Sequence, residues 1–205
     1  MIKVKVCGIT NAEDAAAAAA YGASALGFIF YKQSPRHVTV EDAYEISMSV
    51  PPFVKKVGVF VNEDKKLVNE IADRASLDLL QLSGDETSSY CKELNRPYIK
   101  AIRIKNRESC NEISEYDTPY VLFDNYDKDH YGGTGRTFNW DLVKGLPFEK
   151  RYVILSGGLS PENVKDAIAQ IKPYAVDVAS GVEELPGKKD HVKMKHFIEM
   201  VKNAG

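Results

Sequence analysis

Three cysteines, one tryptophan and four histidines are spread over 205 residues, and each scarcity excludes a class of protein. Cys7, Cys91 and Cys110 are odd in number and far apart, which argues against a disulfide framework and against a CxxC metal knuckle. His37, His130, His191 and His196 form no spaced ligand set, so no metal is indicated. Charge of one sign is also missing. Lys and Arg total 27 against 29 Asp and Glu, the formal net charge is -2, and no basic stripe offers a nucleic-acid footprint. No apolar run approaches the roughly 20 residues that span a bilayer, and the opening MIKVKV has no long apolar segment of the signal-peptide kind. A cytoplasmic protein without membrane contacts is expected. Nor does G-x-G-x-x-G follow the first apolar run, which disfavours a dinucleotide-binding sheet.

What is present is enough apolar residues, 44% of the chain, for one substantial core, and a single domain over residues 1–205 is expected. Short β-branched or apolar runs alternate with helix signals. The strand candidates are Lys3 to Cys7, Ala25 to Phe30, Val54 to Phe60, Asp78 to Leu82, Tyr98 to Ile102, Tyr120 to Phe123, Tyr152 to Leu155 and Ala175 to Val178. Helix starts are signalled by Thr10 with Glu13, Thr39 with Asp42, Asn62 with Glu63, and Ser160 before Pro161. Strand and helix in alternation, at a repeat of roughly 25 residues, fit a closed (β/α)8 TIM barrel better than an open sheet. At this length some helices must be short. Only the run from Asp124 to Phe138 is long enough for an extended active-site loop.

Barrel chemistry sits at the carboxyl ends of the strands, where Cys7, Ser83, Asp124, Ser156 and Ser180 fall. Alternation puts Val4 and Val6 on one face of the first strand and Lys3, Lys5 and Cys7 on the other. With the valines toward the helices, Lys5 and Cys7 face the interior. A buried Lys5 needs a partner, and Asp177 on the eighth strand, the closing neighbour of the first, is predicted to supply it. On position alone Cys7 fits a small buried hydrophobe as readily as a reactive thiol. Asp124 at the end of YVLFD is an acid or base position, or else a cap. Together the two groups suit moving a proton between atoms of one substrate. Cys91 and Cys110 lie in helical or polar stretches and receive no role.

The seventh and eighth loops, LSGGLSPENV and VASGVEELPGKKD, place Gly157, Gly158 and Gly181 directly after strands, where backbone N–H groups can approach a phosphate. YGGTGRTFNW lacks the ending of a P-loop and reads as a tight or mobile loop, with Arg136 a candidate anion contact. Arg36, after the second strand, is a solvated loop residue unless the substrate carries a second anion, which its fork would suit. Lys100 and Arg103 have undetermined faces, because a one-residue slip exchanges inside for outside.

As an ordered set, KVKVCGIT, GFIFYKQSPRHV, VGVFVN, YGGTGRTFNW, LSGGLSPENV and DVASGVEELPGKKD resemble the phosphoribosylanthranilate isomerases over the whole chain. The resemblance implies an Amadori rearrangement of a phosphosugar in tryptophan biosynthesis, with no cofactor. It implies Asp124 as general acid, Cys7 as general base, Arg36 as the holder of the anthranilate carboxylate, and Gly157, Gly158, Ser180 and Gly181 as phosphate contacts. Lys5 is a candidate for lowering the Cys7 pKa. One departure stands out: the family's fourth strand usually ends Gln-Leu-His-Gly, and here it reads Gln81, Leu82, Ser83, Gly84. By parity Gln81 and Ser83 face the substrate, and a serine is shorter and uncharged. An inactive or repurposed phosphosugar-binding barrel is the alternative, and oligomeric state has no linear signature.

Overall fold

Residues 1–128, 137–146 and 151–204 are described by the computed structural model. Eight parallel strands close on themselves in sequence order: β1 (Lys3–Cys7), β2 (Ala25–Ile29), β3 (Lys55–Phe60), β4 (Leu79–Leu82), β5 (Tyr98–Ile104), β6 (Tyr120–Asn125), β7 (Tyr152–Leu155) and β8 (Ala175–Val178). The expected (β/α)8 barrel is therefore the fold. Strands covered on both faces read as almost unbroken apolar runs, so alternation decides which side chain goes where. Val57, Ile99, Ala101, Leu122, Ile154 and Ala175 meet inside as one cluster, while Val4, Val6, Leu26, Phe28, Leu80 and Phe123 join the larger core under the helices. Each fully buried Val, Leu or Ile contributes about 1.5–3 kcal/mol.

Two strands run beyond their predicted ends. Arg103 pairs with Asp124 and Ile104 with Asn125, so β5 and β6 each gain two residues and Asp124 stands inside a strand. The added pairing satisfies backbone groups that a loop would leave open.

Helices α1 (Ala12–Tyr21), α2 (Val40–Ser49), α3 (Lys65–Arg74), α4 (Ser88–Cys91), α5 (Val164–Ile171) and α6 (His191–Lys202) surround the barrel. The turns after β4, β5 and β6 are reduced: α4 is one turn, and Arg107–Glu115 and Trp140–Leu142 are 3-10 helices. That economy lets so short a chain close eight units. The Thr39 cap forms as predicted, its hydroxyl accepting from Asp42 N at 3.1 Å. The other starts shift, two of them because tertiary partners claim the capping side chains and the third through local bonds of Asn163. Thr10 donates to the Gly187 carbonyl, and Asn11 caps α1 by accepting from Asp14 N at 2.8 Å. Asn62 adopts φ 51° and accepts from Asp85 N, so α3 is capped by Asp64 instead. Asn163 turns back to Ser160 N and the Gly158 carbonyl, and α5 begins at Val164 rather than at Pro161. His130, Arg136 and most of the run YGGTGRTFNW lie outside the described residues.

Candidate active site

Strand β1 delivers two side chains to the interior. Lys5 pairs in register with Asp177 on β8, and its Nζ donates to Asp177 Oδ1 at 2.8 Å, the partner anticipated from barrel closure. Asp177 Oδ2 accepts from Ser156 Oγ at 3.2 Å. One layer above, Cys7 faces Gly27 across the β1–β2 ladder. A Cβ on Gly27 would stand 2.7 Å from the Cys7 sulfur and 3.1 Å from Lys5 Nζ, so only glycine leaves room for the thiol and the ammonium together. Burial pushes the Cys7 thiol up, and the Lys5 charge pulls it part of the way back. For Lys5, burial is the largest influence and opposes the charge, yet Asp177 and Cys7 together raise its pKa above the ordinary lysine value.

Asp124 shares the inward parity of Tyr120 and Leu122 on β6 and is partly buried. Its carboxyl is pushed up to about 6, by burial first, against the hydrogen bond donated by Asn125 N at 2.8 Å, with Asp177 adding like-charge repulsion. The Lys5–Asp177 pair thus acts electrostatically on both Cys7 and Asp124, and links the two ionisable groups. Register also settles the two undetermined cations. Arg103 faces inward beside Asp124, its guanidinium meeting Asp85 Oδ1 at 2.5 Å and lying 5.7 Å from the Tyr126 ring centre. Lys100 faces outward.

At the end of β4 the amide of Gln81 donates to Ser83 Oγ at 3.1 Å. The carbonyl oxygen of Gln81 is buried with no partner among the described residues, an acceptor aimed into the barrel interior. Arg36, treated above as exposed unless bound, is 6% exposed. Its Nε donates to both Glu183 oxygens at 2.9 and 3.1 Å, and Nη2 to Oε2 at 2.8 Å. The stem crosses Gly8, where a Cβ would lie 2.6 Å from Arg36 Cδ and φ is +74°, so the close approach again requires glycine.

Gly157 and Gly158 both have positive φ, +83° and +64°, at the β7 rim. Gly181, in the 3-10 turn Ser180–Val182 after β8, packs against the Leu159 carbonyl, which brings the seventh and eighth loops together. The backbone N–H groups of Gly157, Gly158, Ser180 and Gly181 donate to no acceptor among the described residues. Among those residues no cluster of His, Cys, Asp and Glu could hold a metal ion.

Glu183 and Lys189 were not singled out in the sequence. They face each other across a small hairpin, β9 (Glu183–Leu185) and β10 (Lys188–Lys189), turned at Pro186 and Gly187. The Pro-Gly pair between Leu185 and Lys188 was the available signal, a turn dipeptide with glycine at positive φ, +85°. Lys189 Nζ donates to the Cys7 carbonyl at 2.7 Å, to Glu183 Oε1 at 2.8 Å and to the Ala179 carbonyl at 3.3 Å.

A closed barrel with a buried thiol and a readily protonated carboxyl on separate strands at its carboxyl-end rim has the layout of a barrel enzyme. The chain matches the family model for N-(5'-phosphoribosyl)anthranilate isomerase over residues 4–200. It is 47% identical over 204 residues to the enzyme of that name from Trichlorobacter lovleyi, covering 100% of both chains. The crystal structure of phosphoribosyl anthranilate isomerase from Thermotoga maritima superimposes with a TM-score of 0.93 at 42% identity, covering 99% of this chain and 100% of that one. A similar structure holds reduced 1-(o-carboxyphenylamino)-1-deoxyribulose 5-phosphate, with a TM-score of 0.88, 42% identity, and coverage of 99% of this chain and 100% of that one. The chain belongs to the phosphoribosylanthranilate isomerase family.

Proposed function

We propose that the chain converts N-(5-phosphoribosyl)anthranilate to 1-(2-carboxyphenylamino)-1-deoxyribulose 5-phosphate, an Amadori rearrangement of tryptophan biosynthesis. Asp124, as the carboxylic acid, protonates the ring oxygen, the bond from that oxygen to the first sugar carbon breaks, and a Schiff base forms. Cys7, as thiolate, removes the proton from the second carbon to give an enolamine, which tautomerises to the ketone. The first carbon is reduced and the second oxidised within one molecule, so no external redox partner or cofactor is needed. The observation that carries this reading is the position of Cys7 and Asp124 on separate strands at one rim, both under the influence of the same Lys5–Asp177 pair.

Burial favours the protonated form of both groups, so thiolate opposite carboxylic acid is a minority state of the free enzyme near neutrality. The Lys5 ammonium raises its share by stabilising the thiolate. Unpartnered N–H groups at Gly157, Gly158, Ser180 and Gly181 support a phosphate site there. Arg36 has an Nη1/Nη2 edge without a partner among the described residues, which suits the anthranilate carboxylate. Gln81, through a carbonyl with no partner among the described residues, and Ser83, through its hydroxyl, line the substrate side. A highly charged phosphosugar does not cross membranes unaided, which supports a cytoplasmic location. Among the described residues no helix is long and apolar enough to cross a membrane.

Loss of phosphoribosylanthranilate fluorescence tests the assignment. Wild type should turn over, and Cys7→Ala and Asp124→Asn should each lose about 10²–10⁴-fold in kcat. A wild type that binds a product analogue but never turns over would make this a repurposed barrel instead.

A further inference from the structure

Arg36, Glu183 and Lys189 come from the second and eighth loops and form a buried chain of charges, two cations on one carboxylate. Their side chains are 7%, 4% and 0% exposed. Desolvating three charges is expensive, and an apolar substitute of similar volume is often neutral or stabilising. Stability therefore gives no reason for the cluster, and its geometry suggests one. Glu183 grips Arg36 by the Nε/Nη2 side, which fixes the guanidinium plane and leaves the Nη1/Nη2 edge without a partner among the described residues. Arg36 with Glu183 alone would be a neutral pair with little attraction for a second carboxylate. Lys189 restores one positive charge, and its ammonium is bonded to the carbonyl of Cys7.

We propose that Glu183 and Lys189 are positioning residues of the isomerisation. Glu183 orients the Arg36 fork toward the substrate carboxylate. Lys189 keeps the site cationic and ties that fork to the Cys7 peptide, so the bound ring and the base keep a fixed separation. The hairpin makes this arrangement rigid: Lys189 N donates to Asp14 Oδ2 at 2.9 Å, Gly187 accepts from Thr10, and Lys193 Nζ donates to the Glu183 carbonyl at 3.2 Å. A barrel reaction that breaks a bond at one sugar carbon and removes a proton from the next is sensitive to such spacing, since a displacement of about 1 Å can cost 10²-fold. The inference rests on Arg36 holding the substrate carboxylate.

Inhibition constants for two compounds test it: reduced 1-(o-carboxyphenylamino)-1-deoxyribulose 5-phosphate and its counterpart with a plain phenyl ring. Their ratio reads the carboxylate contact alone. Wild type should prefer the carboxylated compound, and Arg36→Met should abolish the preference. Glu183→Gln and Lys189→Met should each cut it about tenfold while the affinity for the plain compound changes less than about threefold. A merely structural role would weaken both compounds alike. If Arg36→Met keeps the preference, the assignment of Arg36 fails and the inference with it. If Arg36→Met loses the preference but Glu183→Gln and Lys189→Met retain it, only the positioning role fails. Should either variant not fold, Glu183→Asp and Lys189→Arg keep the charges while shifting them, and a wild-type ratio in both overturns the inference equally.

Discussion

Lys5 and Lys100 are both strand lysines, 3% and 2% exposed, each bonded to a carboxylate at 2.8 Å. Their surroundings differ in one respect: Lys5 points into the barrel and Lys100 points out of it. Lys100 Nζ also donates to the Gly84 carbonyl at 2.7 Å, and the Tyr116 ring centre lies 5.3 Å away. Its partner Glu86 accepts from Asn62 N and Gly84 N, so the pair fastens the loop after β4 to its neighbours. The ammonium of Lys5 has a single carboxylate and faces a thiol. Equal burial and equal pairing thus produce a loop anchor in one sector and an electrostatic device in the other, and strand parity is what separates them.

Breaking each pair should have similar effects on stability and different effects on chemistry. Lys5→Met and Lys100→Met should each destabilise by about 3–5 kcal/mol, read from denaturant melts, because each leaves a buried carboxylate without its cation. Only Lys5→Met should slow alkylation of Cys7 by iodoacetamide, by about tenfold at a given pH for each unit its pKa rises. An alkylation profile in Lys5→Met that superimposes on wild type would remove Lys5 from the chemistry and erase the distinction.

A smaller effect concerns Asp124 across the barrel. Its folded pKa of about 6 lies above the ordinary value of 3.8, so the stability it contributes is complete below about pH 4 and lost as pH rises through about 6. Wild type should therefore lose on the order of 1–2 kcal/mol relative to Asp124→Asn between those limits, allowing for partial exposure, and no more above them. Parallel stability curves from pH 4 to pH 8 would contradict the raised value.

The smallest effect is expected at Ser83. Ser83→His should preserve or improve turnover, staying within about tenfold of wild type, since neither Asp124 nor Cys7 is altered. Steady-state kinetics would check it. A complete loss would mean the pocket has been rebuilt around serine and the Gln81 amide that serves it.

The strand order and most inward positions were legible because they follow from local patterns. KVKVC alternates, YVLFD ends on a carboxylate, and closure of eight strands makes the first and last neighbours. That reasoning reached the Lys5–Asp177 pair with no contact observed. It failed where a side chain had a distant competitor, as at Thr10 and Asn62, whose capping atoms are taken by Gly187 and Asp85. It also misjudged Arg36, since an arginine in a polar loop carries no mark of the carboxylate 147 residues away that buries it.

By itself, then, the sequence determined the periodicity, the barrel, and the rim placement of Cys7 and Asp124, because a side-chain period of two and a βα repeat are properties of short stretches. Tertiary structure alone decided the register of β5, and with it which of Lys100 and Arg103 faces the site, since a slip of one residue costs nothing locally and exchanges every side chain. It also brought Arg36, Glu183 and Lys189 together around the Cys7 peptide. Charges so far apart along the chain become one electrostatic unit only when the closed barrel removes the water between them.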